Sequence, residues 1–251
     1  MKIKHFFLTG DTHGWKGLLG RIQLLKTPPE ETALIILGDA GINYWLNNSD
    51  KKGKLILNSF GYTIYCVRGN HEQRPELIPT MKSFWDNEVS GFVYYEEDYP
   101  YIRYFQDGSA YYINEYRILV IGGAYSVDKY WRLANDDQWF YQEQLTQAEM
   151  DRIAREYRFN DFDLVLSHTC PYSWRPTDLF LSTIDQTTVD NTMELWMNDF
   201  KDMIDYDVWA FGHYHDDRLV RPGVIMLYKE IINLDDIHNP NLMKGPQYDY
   251  E

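Results

Sequence analysis

Five short blocks concentrate residue types that bind divalent metal ions: Asp11-Thr12-His13, Gly38-Asp39, Gly69-Asn70-His71-Glu72, Ser167-His168 and Gly212-His213-Tyr214-His215. Five of the seven histidines lie in them. Imidazole nitrogen and carboxylate oxygen form a mixed donor set suited to Mn, Fe, Zn or Ni, and no block offers thiolates for a structural zinc cage. Ligands of this kind belong to catalytic centres. Taken alone, any one block reads as the polar cap of a strand-to-loop turn. Five in one chain, each behind an apolar stretch, point to a shared site. The glycines before Asp39, Asn70 and His213 are expected to let the backbone turn sharply there.

The stretches behind the blocks must position them. Ile3 to Thr9, Ala33 to Leu37 and Tyr62 to Val67 read as buried strands, and Trp15 to Lys26 as an amphipathic helix stopped by Pro28 and Pro29. Phe162 to Leu166 and Val208 to Phe211 are strands leading to the last two blocks. Between them, Phe92 to Tyr95, Tyr101 to Phe105, Ala110 to Ile113 and Arg117 to Ile121 read as one antiparallel group, and Gln144 to Arg158 as a charged helix. Short strands around Leu219 and Ile225 flank a turn at Arg221-Pro222-Gly223. Tyr172 to Thr192 shows no clear element, and a long loop beside a site is expected to serve as a lid or specificity element. The pattern predicts two packed sheets with helices outside, the polar blocks lying at the carboxyl ends of strands where such sheets gather ligands.

From Asp11 to His215 the order D-x-H, GD, GNH[DE], H and GHxH resembles the calcineurin-like metallophosphoesterase superfamily. The resemblance implies an α/β fold of two packed mixed β-sheets flanked by helices, a four-layer αββα sandwich. It implies a metal-dependent phosphoric ester hydrolase of bacterial or phage type. Carried over residue by residue, it puts Asp11, His13 and His215 around one divalent ion, Asn70, His168 and His213 around a second, and Asp39 between the two. Manganese is the first expectation, with iron, zinc or nickel as alternatives. Two such ions can hold a hydroxide, lower its pKa and clamp a phosphoryl oxygen during in-line attack. His71 corresponds to the general acid that protonates the leaving alkoxide, a role worth ~10²–10⁴-fold. The plain alternative for His71 is a histidine packed in its loop.

After Asp39 the chain departs from the superfamily. The protein-phosphatase branch continues GDxxDRG, supplying an Asp that orients the catalytic histidine and an Arg that grips phosphate; Ile42 and Asn43 occupy those positions here. The purple acid phosphatases place a metal-binding Tyr where Ile42 stands. Substrate contact is therefore assigned to Asn43 itself and to guanidinium groups elsewhere, Arg132 ahead of Arg175, Arg68 and Arg74. Arg132 ends the stretch Gly122-Gly123-Ala124-Tyr125-Ser126-Val127-Asp128-Lys129-Tyr130-Trp131-Arg132, which is similar to a segment of bacterial and phage members; a turn and surface helix is the rival reading. Trp45, Tyr125, Tyr172, Trp174 and Tyr214 are available to stack on a base or aromatic leaving group, although such residues more often simply pack.

Glu72 completes the GNHE form of the serine/threonine-phosphatase branch. A small phosphomonoester or a phosphoprotein is thus the first expected substrate, and a phosphodiesterase acting on cyclic or short nucleotides the alternative. A metal-poor scaffold for protein interaction would have lost ligands, whereas the whole set is present. A formal charge of −14 works against binding long nucleic acid or an anionic membrane. No apolar run approaches the ~20 residues of a membrane helix. Lys2 and Lys4 precede an apolar stretch too short for a signal peptide. A cytoplasmic protein is expected, in agreement with Cys66 and Cys170, too few for a disulfide framework and each beside a proposed ligand. One domain, residues 1–238, is expected, followed by a loose tail from Asn239 to Glu251. Nothing in the sequence signals an oligomeric state.

Overall fold

The computed structural model describes residues 2–239, so that apart from Asn239 the expected tail lies outside the described residues. Strands β1 (His5–Thr9), β2 (Thr32–Ile36) and β3 (Thr63–Cys66) pair in parallel. Every residue of β2 and β3 is buried. That is why these runs are continuously apolar: a parallel sheet is covered on both faces.

The same sheet continues through β4 (Met81–Asp86), β5 (Gly91–Glu96) and β6 (Ile102–Phe105), with β6 parallel to β3 and the other two antiparallel in turn. The second sheet contains β7 (Ser109–Ile113), β8 (Tyr116–Ile121), β9 (Asp161–Ser167), β10 (Asp205–Phe211), β11 (Arg218–Arg221) and β12 (Val224–Met226). Its order is β11-β12-β10-β9-β8-β7, parallel through the middle and antiparallel at both edges. A short strand β13 (Ile231–Asn233) closes the first sheet against β1, giving the order β13-β1-β2-β3-β6-β5-β4.

Alternation along each strand sorts its residues between layers. Leu8, Ile35 and Val67 of the first sheet meet Val120, Leu166 and Ala210 of the second in a central core. On the outer face of the first sheet, α1 (Trp15–Ile22) and α2 (Asn48–Asn58) pack Leu18, Ile22 and Leu57 onto Leu34, Ile36 and Ile64. A short helix α3 (Lys129–Ala134) buries none of its residues. On the far side, α4 (Gln147–Tyr157) and α5 (Thr192–Phe200) bring Met150, Ile153, Met193 and Met197 onto Leu119, Val165 and Trp209. Two mixed sheets between two helical layers make the αββα sandwich that the resemblance implied.

The supposed antiparallel group is a correction. It divides between the sheets, β5 and β6 in one, β7 and β8 in the other, with Gly108 at φ 63° in the crossing turn. Both hairpins direct apolar residues into the central core from opposite sides: Val93 and Phe105 from one, Ile113 and Ile118 from the other. Helix α2 escaped notice because Gly53 and Lys54 stand in its buried stripe, the Lys54 ammonium being paired with Glu96. Its readable signal was Asn47, whose side chain accepts from the Ser49 amide at 2.8 Å as an N-cap. Among the described residues no helix is long and apolar enough to cross a membrane.

Candidate active site and metal centre

The carboxyl ends of β1, β2 and β3 meet those of β9 and β10 across the sandwich, and each emits one block. The loops are zipped together: the Asp39 carbonyl accepts from the Thr12 and His13 amides, and Gly212 donates to the His168 carbonyl. The glycines act mainly by leaving room. Of Gly38, Gly69 and Gly212, Gly38 alone has a positive φ, 96°. A Cβ on Gly38 would lie 2.0 Å from His168 Nδ1, one on Gly69 1.9 Å from an Asp39 oxygen, and one on Gly212 2.3 Å from an Asp11 oxygen. The expected sharp turn is thus correct for Gly38 alone; the other two permit close approach. The left-handed conformations fall instead on His13 (φ 47°), Asp39 (47°), His213 (69°) and His215 (57°).

Asp11, buried, uses Oδ1 to accept from the His213 amide at 2.8 Å, while its Oδ2 has no hydrogen-bond partner among the described residues. That orphaned oxygen faces His215 Nε2 at 3.3 Å and His13 Nε2 at 3.7 Å, and the two imidazole nitrogens are 2.6 Å apart. Asp11, His13 and His215 thus form one compact donor group; Asp11, Asp39 and His168 form another. Asp39 accepts from the His71 amide through Oδ1. Its Oδ2 lies 3.6 Å from His168 Nε2 and 4.0 Å from His13 Nδ1, between the two groups. His213 stacks edge-on to His168, ring centroids 4.9 Å apart.

The second group tests whether a cation fits. His168 Nδ1 lies 2.8 Å from the Leu37 carbonyl, which can only accept, so Nδ1 carries the proton. Nε2 is then the ring nitrogen left to bind a cation, and it lies 2.8 Å from Asn70 Oδ1. The Asn70 amide is oriented by its Nδ2, which donates to Ser126 Oγ at 2.8 Å. Nε2 and Asn70 Oδ1 would then both turn towards a shared cation, and a histidine anchored through its other nitrogen is the usual supporting arrangement of a ligand. The residues present fit divalent metal ions.

Burial works to raise Asp11 and Asp39, but the surrounding histidines, His168 foremost, outweigh it and hold both carboxyls below the usual range. Burial pushes His213 well down, whereas contact with the Asp11 carboxylate raises His215. His71 is lowered by burial, with Arg132 adding to the effect and Asp39 opposing it. Its Nε2 lies 3.9 Å from Asp39 Oδ2, and its ring sits between those of His13 and Tyr44, at 5.6 and 6.4 Å. Glu72 does not face the cleft. Buried, it accepts from the Gly69 amide, and burial pushes it up to about 7.

Two cavities open from His71. The first, about 320 Å³, is bordered by His13, Trp15, Lys16, Tyr44, Trp45 and Arg132. The second, about 440 Å³, has Asp39, Asn70, His213 and His215 at its floor. Of the residues assigned to substrate, Arg132 lines the first cavity, held by Asp128 at 2.8 Å, by the Tyr44 hydroxyl at 2.5 Å and by the Gln138 carbonyl. Arg175 reaches the second cavity, but its Nη1 donates to Asn191 and Glu194, and its guanidinium stacks 3.6 Å over Tyr172. It holds a wall in place. Asn43 is not at the cleft: at 1% exposure it is enclosed in the fold and borders neither cavity. Arg68 and Arg74 are spent on Asp107 and Glu149. Trp45, Tyr125 and Tyr214 border cavities, the Tyr214 hydroxyl being tied to Glu194, whereas Trp174 packs on Tyr206 and Trp209.

Two supporting residues were missed. Glu143 accepts from the Ser126 hydroxyl at 2.5 Å, the Ser126 amide and the Trp139 ring nitrogen, and so fixes the serine that orients Asn70. The Gly122-Gly123 pair pointed to this loop, but nothing in sequence tied Glu143 to it.

A sandwich of two sheets with clustered aspartate and histidine at its strand ends defines a metallohydrolase. The sequence matches the calcineurin-like phosphoesterase family over residues 4–217, and the chain belongs to that family. Membership together with the donor groups implies a metal-dependent phosphoester hydrolase using divalent metal ions. No curated protein matches the chain.

Proposed function

We propose that the protein hydrolyses small phosphodiesters, with His71 as proton donor to the leaving oxygen and Mn²⁺ as the working ion, in a cytoplasmic setting. The observation that carries the substrate class is the placing of His71 where two cavities meet. A phosphorus atom at that junction has room for an ester arm on either side, and a monoester would fill only one. The monoester expectation leaned on Glu72, whose carboxylate is buried beneath the loop. The cations bordering the first cavity are Lys16 and Arg132, and Arg132 is flanked by Asp128 and Asp137. That balance suits a monoanion better than a dianion.

When bound, divalent cations supply Lewis acidity and charge neutralisation for attack of water on phosphorus. Asp11, His13, His215, Asp39, Asn70, His168 and His213 would hold them. Arg132 faces the non-bridging oxygens, and Tyr44 limits the motion of both Arg132 and His71. The test is turnover of bis(4-nitrophenyl) phosphate against 4-nitrophenyl phosphate by Mn²⁺-supplemented protein. A higher kcat/KM for the diester is expected; preference for the monoester restores the phosphatase reading, and no turnover of either defeats the hydrolase.

A further inference from the structure

The second cavity has a polar floor and an apolar wall. Leu179, Phe180, Leu181, Ile184 and Val189 line it, all from the stretch between Arg175 and Asn191, which carries single-turn helices at Thr177–Leu179 and Gln186–Thr188 and leads into α5. Leu179 and Leu181 are 36% and 62% exposed. Apolar side chains directed at a metal-binding floor are badly placed for water, and a chamber of this size is that of a small-molecule site.

The wall is anchored to the catalytic loops. Arg175 Nη1 donates to Asn191 at 2.6 Å and to Glu194 at 3.2 Å, and Phe180 lies under the same guanidinium at 5.5 Å. Glu194 in turn accepts from the Tyr214 hydroxyl at 2.6 Å, and Tyr214 sits between His213 and His215. The apolar surface is therefore held at a set position relative to the metal donors. Because Asp39, Asn70, His213 and His215 line the same cavity, a group attached to a phosphorus held by these donors would extend along the apolar wall.

We infer that this chamber takes an alkyl or aryl ester arm of the substrate, with Ile184 and Val189 as residues that determine specificity for it. The inference rests on the phosphodiester reading. It predicts that each methylene added to the arm raises affinity roughly fourfold until the chamber is full.

The probes are n-alkyl(methyl)phosphinates with alkyl arms from methyl to hexyl, monoanionic and with no ester bond to cleave, titrated calorimetrically into Mn²⁺-loaded protein. Wild type should show Kd falling about fourfold per methylene over the first few. In Ile184→Asp and Val189→Asp, whose half-buried positions lie outside sheets and α-helices, the series should flatten, with thermal midpoints confirming folded protein. A flat series in wild type, absence of binding by every phosphinate, or an unchanged slope in both folded variants overturns the inference. Chain-length dependence without turnover of bis(4-nitrophenyl) phosphate would defeat the proposed hydrolysis and leave the chamber standing; turnover with a flat series would do the reverse.

Discussion

Replacing Ser126 by Ala should weaken one cation site and spare the other. Ser126 Oγ is the acceptor for Asn70 Nδ2 at 2.8 Å and donates to Glu143 at 2.5 Å. Without it, a buried amide donor is stranded, at ~1–3 kcal/mol, and Glu143 keeps two of its three hydrogen bonds. The amide can escape that cost by turning, which takes Oδ1 away from His168 Nε2. Either way the lost orientation appears in metal affinity, and loss of a supporting partner of this kind typically costs ~10–100-fold. The group formed by Asp11, His13 and His215 has no contact with Ser126 and should keep its affinity. Calorimetric titration with Mn²⁺ should resolve one weakened and one unchanged site, with activity requiring correspondingly more free Mn²⁺. Glu143→Gln, which keeps an acceptor for the serine hydroxyl, should show a smaller loss. Two unchanged affinities, or two sites weakened equally, would refute the reasoning.

Three further outcomes follow from the geometry. His71→Asn should lower kcat by ~10²–10⁴-fold on alkyl esters and far less on 4-nitrophenyl esters, whose leaving group needs no proton; equal losses would argue against an acid role. Gly38→Ala adds a Cβ 2.0 Å from the enclosed His168 ring at a backbone φ of 96°, so it should destabilise the fold by ~3 kcal/mol or more, and an unchanged denaturation midpoint would contradict that packing argument. Burial works to raise Glu149, but its bonds to Arg74 and to the Thr146 cap outweigh this and leave it below its ordinary 4.5. Glu149→Gln should therefore cost about 1 kcal/mol above pH 4.5, a deficit that shrinks as pH falls through the lowered folded-state pKa; urea midpoints across that range provide the check.

Much of the metal centre was legible because each donor follows a strand. Apolar runs such as Ala33 to Leu37 disclose the buried strand, and a parallel sheet sends every carboxyl end to one edge, so sequence order already groups Asp11, Asp39 and Asn70. What was not legible depends on side chains meeting across long separations. Asn43 was assigned to substrate by its position after Asp39, yet the chain turns inward there and encloses it. Arg175 was assigned by charge, and no local pattern foretells that Asn191 and Glu194 hold its guanidinium. Helix α5 went unread although Met193, Met197 and Phe200 stand at helical spacing, whereas α2 was masked by a lysine neutralised from a distant strand.

The backbone at the centre shows what the sandwich contributes beyond bringing blocks together. His13, Asp39, His213 and His215 all hold the left-handed conformation that non-glycine residues avoid, at of order 1–2 kcal/mol each. None of these loops would keep that shape alone. They are held because their neighbours are locked from both sides: the Asp39 carbonyl binds the Thr12 and His13 amides, Asp39 Oδ1 binds the His71 amide, and Asp11 Oδ1 binds the His213 amide. Each carboxylate therefore spends one oxygen fixing a neighbouring loop and turns the other towards the imidazoles. The residues that shape the site are also those that would ligate its cations, so a change at Asp11 or Asp39 should disturb the strained loops as well as the charge. On the proposed function, substrate choice would be built differently, from side chains on Tyr44, Arg132 and the stretch between Arg175 and Glu194, none of which carries a left-handed residue at a proposed ligand position. That separation would let the cavity walls vary without touching the chemistry, which is why the metal donors could be read from a shared pattern and the proposed ester arm only from this chain's own walls.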